Sequence, residues 1–294
     1  MAMQFELTRE FLEKLRNHID NKEEAAAFDM VRDLHPADIA EIYDELEIEE
    51  AKFLHVMLDG EKAADVFIEL EEDDRERFLD ALPSEQIAKQ LIDNLDSDDA
   101  ADIIGELPEE KQEEVISYIQ DLDQAGDIVD LLNYDEDTAG GLMAKELITV
   151  NENWTMPTCL KEMRRQATEV DEVYYVYVVD DNNVLKGTLS LKRMLLASSN
   201  ASIKSILNKD IISVRTDTKS EEVANIMEKY NLVALPVVDA IGRLVGRITI
   251  DDVVDVMREE AERDYQLASG ITEDVEDTDN AWLLTRARIP WLFI

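Results

Sequence analysis

Residues 232–264 read LVALPVVDAIGRLVGRITIDDVVDVMREEAERD, and this stretch sets the pattern of the second half of the chain. Two apolar runs flank a short turn that contains Gly242, which is typical of a β-hairpin. The apolar spacing then changes to that of a helix, and this helix is crowded with carboxylates from Asp251 to Asp264. We therefore predict a hairpin that runs directly into an acidic helix.

The same pattern occurs once before, so residues 144–264 contain a repeated β-α-β-β-α unit. Strands are predicted at 147–150 and 211–214, and each is followed by a helix, at 156–167 and 219–230. The hairpins align at a spacing of 59 residues, which matches Asp180 with Asp239, Gly187 with Gly246 and Ser190 with Thr249. Because one unit is too small to bury a sheet, we expect the two copies to pack against each other.

The first 133 residues contain a shorter repeat. Its marker is an apolar residue at intervals of 12 or 13: Leu34, Leu46, Leu58, Leu70, Leu82, Leu95, Leu107, Ile119 and Leu131. The segments between them begin with Pro, Ser, Asp or Glu, which suit the first turn of a helix. Because one such unit cannot bury its own apolar face, successive units must stack. We predict an all-α superhelix, preceded by a longer helix from Thr8 to Ile19.

The chain is strongly acidic. It has 294 residues with 69 acidic and 29 basic side chains, a net charge of −40. Residues 1–140 carry 43 of the acids and 11 of the bases, which is −32 of that total. Nucleic acid is excluded as a partner on this ground, because its binding relies on Lys and Arg. Acidity of this kind either serves solubility or requires cations or a basic partner.

Cysteine content and hydropathy indicate a reducing compartment. Cys159 is the only cysteine, so no internal disulfide is possible. The N-terminus lacks a signal-peptide pattern, and no run of 18 apolar residues occurs. Residues 288–294 are apolar and follow Arg286, which resembles the start of a membrane span.

Nothing in the sequence indicates catalysis. The histidines His18, His35 and His55 have no metal-ligand spacing, and there is no phosphate-binding loop or nucleophile motif. We predict surface or helix-capping positions for the histidines and no enzymatic activity.

Two groups of carboxylates are candidate cation ligands. Asp96, Asp98, Asp99 and Asp102 open one predicted helix, where the helix dipole accounts for one or two of them. On the helix after Thr249, steps of 100° place Asp252, Asp255 and Glu259 on one face, and Glu260 and Asp264 beside an apolar stripe of Val253, Met257 and Ala261. Carboxylate oxygens are ligands that Mg²⁺ prefers. The alternative is a solvated acidic helix without a bound ion.

These residues resemble a known family. The ending of the second copy, from Gly246 through Thr249 to Asp252, resembles the Gly-x-x-Thr-x-x-Asp signature of CBS domains. An acidic short-helix repeat, then the linker YDEDTAGGLM at residues 134–143, then two CBS units resembles the cytosolic region of MgtE-family magnesium channels. The resemblance covers essentially the whole chain.

The resemblance implies an α plus α/β architecture and a function. The expected domains are an acidic superhelical N domain at 1–137, CBS domains at 138–200 and 201–268, and a connecting helix at 269–294 that leads to the channel's own transmembrane domain. The expected function is magnesium sensing at the cytoplasmic face of the membrane, in which Mg²⁺ bridges the acidic N and CBS domains and favours the closed pore. A homodimer formed through the CBS domains is also expected.

The resemblance further implies which carboxylates bind magnesium. They are Asp252, Asp255, Glu260 and Asp264, with Asp99 and Asp102 in the helical domain and Glu221 at the start of a CBS helix. This chain departs from the family at Lys219, Asn231 and Arg263, where carboxylates are expected, so fewer or shifted ions are predicted.

CBS pairs also bind adenine nucleotides such as ATP, and the signature residues implied here are Thr249 and Asp252. The first copy has Ser190 and Arg193 instead, so only the second copy keeps the signature. The alternative function is therefore a stand-alone CBS regulatory protein that senses adenine nucleotides.

Overall fold

A computed structural model describes residues 5–168, 170, 173–198, 200–254, 256–258 and 261. The chain divides into two compact units, Met1–Asn133 and Tyr134–Ile294. The predicted order, an all-α region followed by two mixed units, is confirmed. The domain limits at 137, 200 and 268 stay predictions, and the predicted connecting helix lies outside the described residues. Within the described part of the chain, no helix combines the length and apolar character needed to cross a membrane.

The first unit consists of short helices joined by tight turns. They are α1 (Arg9–Asp20), α2 (Glu24–Val31), α3 (Pro36–Asp44), α4 (Ile48–His55), α5 (Gly60–Ile68), α6 (Glu72–Ala81), α7 (Ser84–Gln86, continued by a π-helical turn at Ile87–Leu91 and a 3-10 turn at Ile92–Asn94), α8 (Ser97–Gly105), α9 (Glu109–Tyr118) and α10 (Leu122–Leu131). Short polar side chains begin several of them: the Thr8 hydroxyl accepts from the N–H of Phe11 at 3.2 Å, and Asp59 accepts from the N–H of Lys62 at 3.1 Å. The predicted first helix is confirmed.

The repeated Leu residues mark the turns between helices. Leu46, Leu58 and Leu70 each follow a helix, and each donates its N–H to the carbonyl three residues earlier. Their side chains are buried. The next residue is in each case the N-cap of the following helix. The 12-residue interval is therefore one helix plus one turn, and the Leu side chain anchors that turn in the core.

One histidine contradicts the prediction of surface or capping positions. His35 does cap α3, because its Nδ1 accepts from the N–H of Ala37 at 3.3 Å. His55, in contrast, is only 1% exposed and packs against the rings of Tyr43 and Phe78. Its position, three residues before a repeated Leu, is a core position that Tyr43 and Phe67 occupy in the neighbouring repeats. The prediction was wrong because the repeat register decides burial there, not the polarity of the side chain.

The second unit contains two three-stranded sheets of the same topology. In each, the first strand is parallel to the second, which is antiparallel to the third. The strands are β1 (Ile148–Asn151), β2 (Val176–Val179) and β3 (Leu185–Leu189) in the first sheet, and β4 (Val214–Arg215), β5 (Ala234–Val238) and β6 (Leu244–Thr249) in the second. The predicted order is confirmed, although β4 has two residues where four were predicted.

Helices complete both copies. They are α11 (Met156–Gln166), α12 (Leu191–Leu196), α13 (Ile203–Ile206) and α14 (Ser220–Tyr230), and residues 250–254 and 256–258 after β6 are also helical. The predicted apolar stripe of the last helix needs correction. Val253 and Val256 are buried, whereas Met257 and Ala261 are exposed. Packing against the sheet sets the rotation of this helix, which charge spacing alone does not define.

Each copy is completed by a chain segment that precedes the other copy. Ala144, ahead of β1, exchanges N–H···O bonds with Arg247 of β6 at 2.8 and 2.9 Å. Asn208, ahead of β4, exchanges equivalent bonds with Thr188 of β3 at 2.8 and 2.9 Å. Thr188 and Arg247 are 59 residues apart, so the exchange follows the repeat. The two copies are therefore joined through their backbones as well as by side-chain packing.

The glycine-containing segment at 134–143 is not a free linker. The N–H of Ala139 donates to the carbonyl of Thr218 at 2.7 Å, and the N–H of Gly140 donates to Thr216 at 3.0 Å. A Cβ on Gly140 would lie 2.4 Å from the Tyr134 ring. We predicted a linker because glycine and acids are typical of one, but here the glycine allows a close approach within the second unit.

Candidate functional site

The acidic helix begins where β6 ends, and Thr249 and Asp252 hold its first turn. Asp252 Oδ2 accepts hydrogen bonds from both the N–H and the hydroxyl of Thr249, each at 2.8 Å. A carboxylate three residues into a helix commonly reaches back in this way to the first N–H. Burial raises the pKa of the Asp252 carboxyl, while the bonds from Thr249 oppose the shift. One oxygen of Asp252 is therefore used to start the helix, so a ligand would be met by Oδ1.

A buried arginine lies beside this pair. Arg247 is 7% exposed, and its positive charge acts on the Asp252 carboxyl. Its Nε donates to the carbonyl of Glu146, and its Cζ lies 5.7 Å from the centroid of the Tyr174 ring. A guanidinium held against an aromatic ring suits the recognition of a phosphate or a carboxylate. Sequence reasoning missed Arg247, although a charged residue within the apolar strand VGRIT was a usable signal.

The corresponding place in the first copy is built differently. Ser190 is the N-cap of α12, but its side chain makes no capping hydrogen bond. Arg193, which aligns with Asp252, donates from Nη1 to the carbonyl of Ile206 at 3.2 Å. The Thr–Asp arrangement therefore has no counterpart at this position in the first copy.

Glu221 lies in the first turn of α14 and is exposed. Lys219 is the N-cap of the same helix, and its Nζ lies 3.8 Å from Asp135 Oδ2. Asn231 ends the helix in the left-handed conformation, with φ of 50°, which Asn adopts more easily than most residues. The structure thus gives both departures from the family a role, Lys219 in an ion pair and Asn231 in a helix cap.

Asp99 and Asp102 lie in α8 of the first unit. Asp99 is partly exposed, and its N–H donates to Asp98 Oδ1 at 3.0 Å. Asp102 is exposed and follows three residues later, so both carboxylates share one face of the helix. Two carboxylates at this spacing can contribute to one cation site.

The structure therefore brings together only part of the predicted set. Thr249 and Asp252 contact each other, Asp99 and Asp102 share a helix face, and Glu221 lies on a different helix. The other predicted magnesium ligands, Asp255, Glu259, Glu260 and Asp264, lie outside the described residues, as does Arg263. All of these assignments stay predictions.

Comparison with known proteins identifies both units. The MgtE intracellular N domain matches residues 34–137, and the CBS domain matches residues 139–200 and 203–259. The magnesium transporter MgtE of Thermus thermophilus is 42% identical over 171 residues, which cover 56% of this chain and 37% of that protein. The magnesium transporter MgtE of Enterococcus faecalis is 36% identical over 164 residues, which cover 55% of this chain and 36% of that protein. The chain thus spans about a third of the length of these relatives.

Solved structures agree with these matches over nearly the whole of their length. The soluble part of a magnesium transporter superposes with a TM-score of 0.73 at 29% identity, covering 86% of this chain and 98% of that one. The cytosolic domain of the Mg²⁺ channel MgtE in complex with ATP superposes with a TM-score of 0.77 at 34% identity, covering 83% of this chain and 99% of that one. These relatives are parts of transporters and not enzymes. The chain belongs to the MgtE family, in which it corresponds to the cytosolic N domain followed by the CBS pair.

Proposed function

We propose that this chain is the magnesium-sensing and gating region of a magnesium channel. The observation that carries the proposal is the combination of an N domain of charge −32 over residues 1–140 with a CBS unit whose acidic helix begins at Asp252. Carboxylates on both units repel each other without a cation, and a bound cation converts that repulsion into attraction. The relatives named as magnesium transporters identify Mg²⁺ as the cation.

The proposed mechanism is a shift between two states. At low Mg²⁺ the acidic surfaces separate, and at high Mg²⁺ bound ions hold them together. The compact state then acts through residues 269–294 on a transmembrane domain and closes its pore. A ligand shifts such an equilibrium only by its difference in affinity for the two states, so several ions are needed for a steep response.

Small-angle scattering during a Mg²⁺ titration tests this mechanism. The radius of gyration should fall as Mg²⁺ rises through the millimolar range, and it should fall less with K⁺ at the same ionic strength, because monovalent ions only screen. A double variant, Asp99→Asn with Asp102→Asn, should move the midpoint to higher Mg²⁺.

The matched control for that variant is Glu109→Gln with Glu110→Gln. These residues are exposed acids in the first turn of the neighbouring helix α9, and the change in charge is the same. If both double variants move the midpoint equally, the effect is general charge and the assignment of Asp99 and Asp102 fails. A radius that does not change with Mg²⁺ would overturn the sensing function itself.

Adenine-nucleotide binding is a second candidate function for the same chain. Arg247, Tyr174 and Thr249 place a cation, an aromatic ring and a hydroxyl at the end of β6. A relative's cytosolic domain has been solved in complex with ATP. Calorimetry with ATP should show binding that Thr249→Ala weakens and that Ser190→Ala, at the matching position of the first copy, leaves unchanged. Equal effects of the two variants would exclude a site confined to the second copy.

A homodimer through the CBS units is supported by exposed apolar residues. Leu191 and Leu195 of α12 are 49% and 86% exposed, and Ile250 and Val254 after β6 are 38% and 40% exposed. These two pairs are 59 residues apart, so they occupy matching positions in the two copies. Such a repeated apolar surface is typical of an interface. Leu195→Glu should convert a dimer to a monomer in analytical ultracentrifugation, and an unchanged sedimentation coefficient would contradict this interface.

The alternative of a stand-alone CBS regulator is less well supported. It does not account for residues 34–137, which match the N domain of MgtE. It predicts ATP binding without a change of radius in Mg²⁺, so the two titrations above distinguish the alternatives.

A further inference from the structure

In the first unit, the third residue of a helix repeatedly contacts the end of the helix three places earlier. Lys62, the third residue of α5, donates from Nζ to the carbonyls of Arg32 and Leu34 after α2, at 2.6 and 2.7 Å. Lys111, the third residue of α9, donates from Nζ to the carbonyl of Leu79 in the last turn of α6. In both cases a donor meets carbonyls that the end of a helix leaves without partners.

Two further helix pairs follow the same rule. Gln124, the third residue of α10, donates from Nε2 to the carbonyls of Ile92 and Leu95 at the end of the α7 segment, at 3.0 and 3.2 Å. Glu50, the third residue of α4, lies 3.7 Å from the guanidinium of Arg16 in α1. The superhelix therefore has a recurring contact between helix n+3 and helix n, and in these four pairs the two partners are complementary.

The pair of α6 and α3 breaks this complementarity. The third residue of α6 is Asp74, and it shares a side-chain hydrogen bond with Asp44, the last residue of α3. Two carboxyl groups form such a bond only when one of them carries a proton. Asp44 also stands at the C-terminal end of a helix, where the helix dipole opposes a negative charge. A donor would complete this contact in the manner of Lys62 and Lys111, but the sequence supplies an acid.

The charges around Asp44 are negative. Burial raises the pKa of the Asp44 carboxyl to about 6, and Asp74, Glu71 and Glu41 add to the shift. Arg77 holds Asp74 ionised, since its Nη1 lies 2.6 Å from Asp74 Oδ1, so the shared proton belongs on Asp44. Helix α5 also packs against α3, and its charged residues are Glu61, Lys62 and Asp65. Lys62 is engaged with main-chain carbonyls, so α5 supplies no counter-charge.

We propose that Asp44 and Asp74 form a proton-operated lock between α3 and α6 of the N domain. The pair is closed when Asp44 carries a proton that it donates to Asp74. Loss of that proton places two carboxylates against each other and loosens this turn of the superhelix. The lock needs no metal, so it adds a response to pH within a domain for which we have proposed a response to magnesium.

Carboxyl carbon NMR of the full chain, titrated without Mg²⁺, tests the lock directly. The Asp44 carboxyl should titrate with a midpoint near pH 6, and in the Asp74→Asn variant that midpoint should move toward the ordinary value of about 3.9. Asp80→Asn, which removes an exposed carboxylate from the same helix, should leave the midpoint in place. An Asp44 midpoint that Asp74→Asn does not change would overturn the proposal.

Amide hydrogen exchange tests the mechanical consequence. After correction for intrinsic rates, amides of α3 and α6 should be more protected at pH 5 than at pH 7.5. The Asp74→Lys variant restores a basic residue at this position, as in α5 and α9, so its protection should be high at both pH values. Equal pH dependence in the two proteins would show that the pair does not control this turn. Because no Mg²⁺ is present, failure here would leave the proposed magnesium response untested and intact.

Discussion

The two units of this chain are both built from repeats, but the repeats are joined in different ways. In the first unit each 12-residue repeat contacts its near neighbours in sequence, through buried Leu residues at the turns. In the second unit the two 59-residue copies exchange edge segments, so that Ala144 pairs with Arg247 and Asn208 with Thr188. The first arrangement spreads stability over local contacts, whereas the second makes each copy depend on the other.

The difference teaches where a substitution should be felt. A change in the superhelix should act mainly on the repeats beside it, because few contacts there span a long distance along the chain. A change at an exchanged segment should destabilise both copies together. The four predictions that follow use this contrast, and they are ordered by expected size.

Leu70→Ala should have the largest effect. Leu70 is 3% exposed and anchors the turn between α5 and α6, so its truncation should cost about 2–5 kcal/mol of local stability. Hydrogen exchange should show the loss in α5 and α6 while β1–β6 keep their protection. Leu34→Ala is the control, since Leu34 holds the same repeat position but is only partly buried. Equal losses in the two variants would argue against the turn anchor.

His55 should make the first unit sensitive to acid. Burial lowers its pKa to about 4, so the folded unit keeps the ring neutral while the unfolded chain binds a proton below about pH 6.5. Stability should therefore fall as the pH drops from about 6.5 to 4, by up to about 3 kcal/mol. In the Leu variant, His55→Leu, this loss should disappear, and Asp44 should then make the unit slightly more stable as the pH drops below about 6.

Hydrogen exchange of α3–α6 at pH 7 and pH 5 measures this difference. His35→Leu serves as the control, because His35 lies at the start of a helix and is partly exposed. Parallel pH profiles for wild type and His55→Leu would mean that the buried ring does not govern acid stability.

Alanine at the two matched glycines should weaken the exchange of segments. A Cβ on Gly187 would lie 2.0 Å from the carbonyl oxygen of Asn208, whereas a Cβ on Gly246 would lie 2.7 Å from the Met143 sulfur. We expect each to cost about 1–3 kcal/mol, more at Gly187 because a backbone atom cannot move aside as a side chain can. Urea unfolding should show both copies destabilised together.

Gly126→Ala is the control for this pair. Gly126 lies within α10, and nothing is within 4 Å of a Cβ placed there, so alanine should stabilise the helix by about 0.5–1 kcal/mol. If Gly187→Ala destabilised one copy while the other kept its hydrogen-exchange protection, the copies would be independent.

The smallest effect should be at the start of the acidic helix. Asp252→Ala removes the acceptor of both Thr249 hydrogen bonds and should cost about 1 kcal/mol. Arg193→Ala at the matching position of the first copy should cost less, because Arg193 makes one exposed contact to a carbonyl. Circular dichroism during thermal unfolding compares them, and a greater loss from Arg193→Ala would reverse the assigned asymmetry.

Much of the fold could be predicted because its signals are periodic. The 12-residue spacing of the Leu residues and the 59-residue spacing of the hairpins both reflect local geometry, so the helices and strands follow from them. The burial of His55 was also encoded, since it holds the repeat position of Tyr43 and Phe67. It was missed because a polar residue was judged by its type and not by its register.

The candidate site was harder to predict, for a physical reason. Helical spacing shows which carboxylates share a face, but it does not show which oxygens are already used. Asp252 is engaged with Thr249, and Lys219 is paired with Asp135. These contacts join residues whose distance depends on where helices and strands begin and pack.

The sequence by itself determined the class of each unit, the repeat that builds it and the concentration of charge in the first 140 residues. Tertiary structure alone decided that the 134–143 segment packs within the second unit, that the two copies exchange edge segments, and that Asp44 meets Asp74. The reason is that periodic patterns report the local path of the chain. Contacts between residues 30, 59 or 100 positions apart arise only when elements pack, and packing places groups together that no local pattern relates.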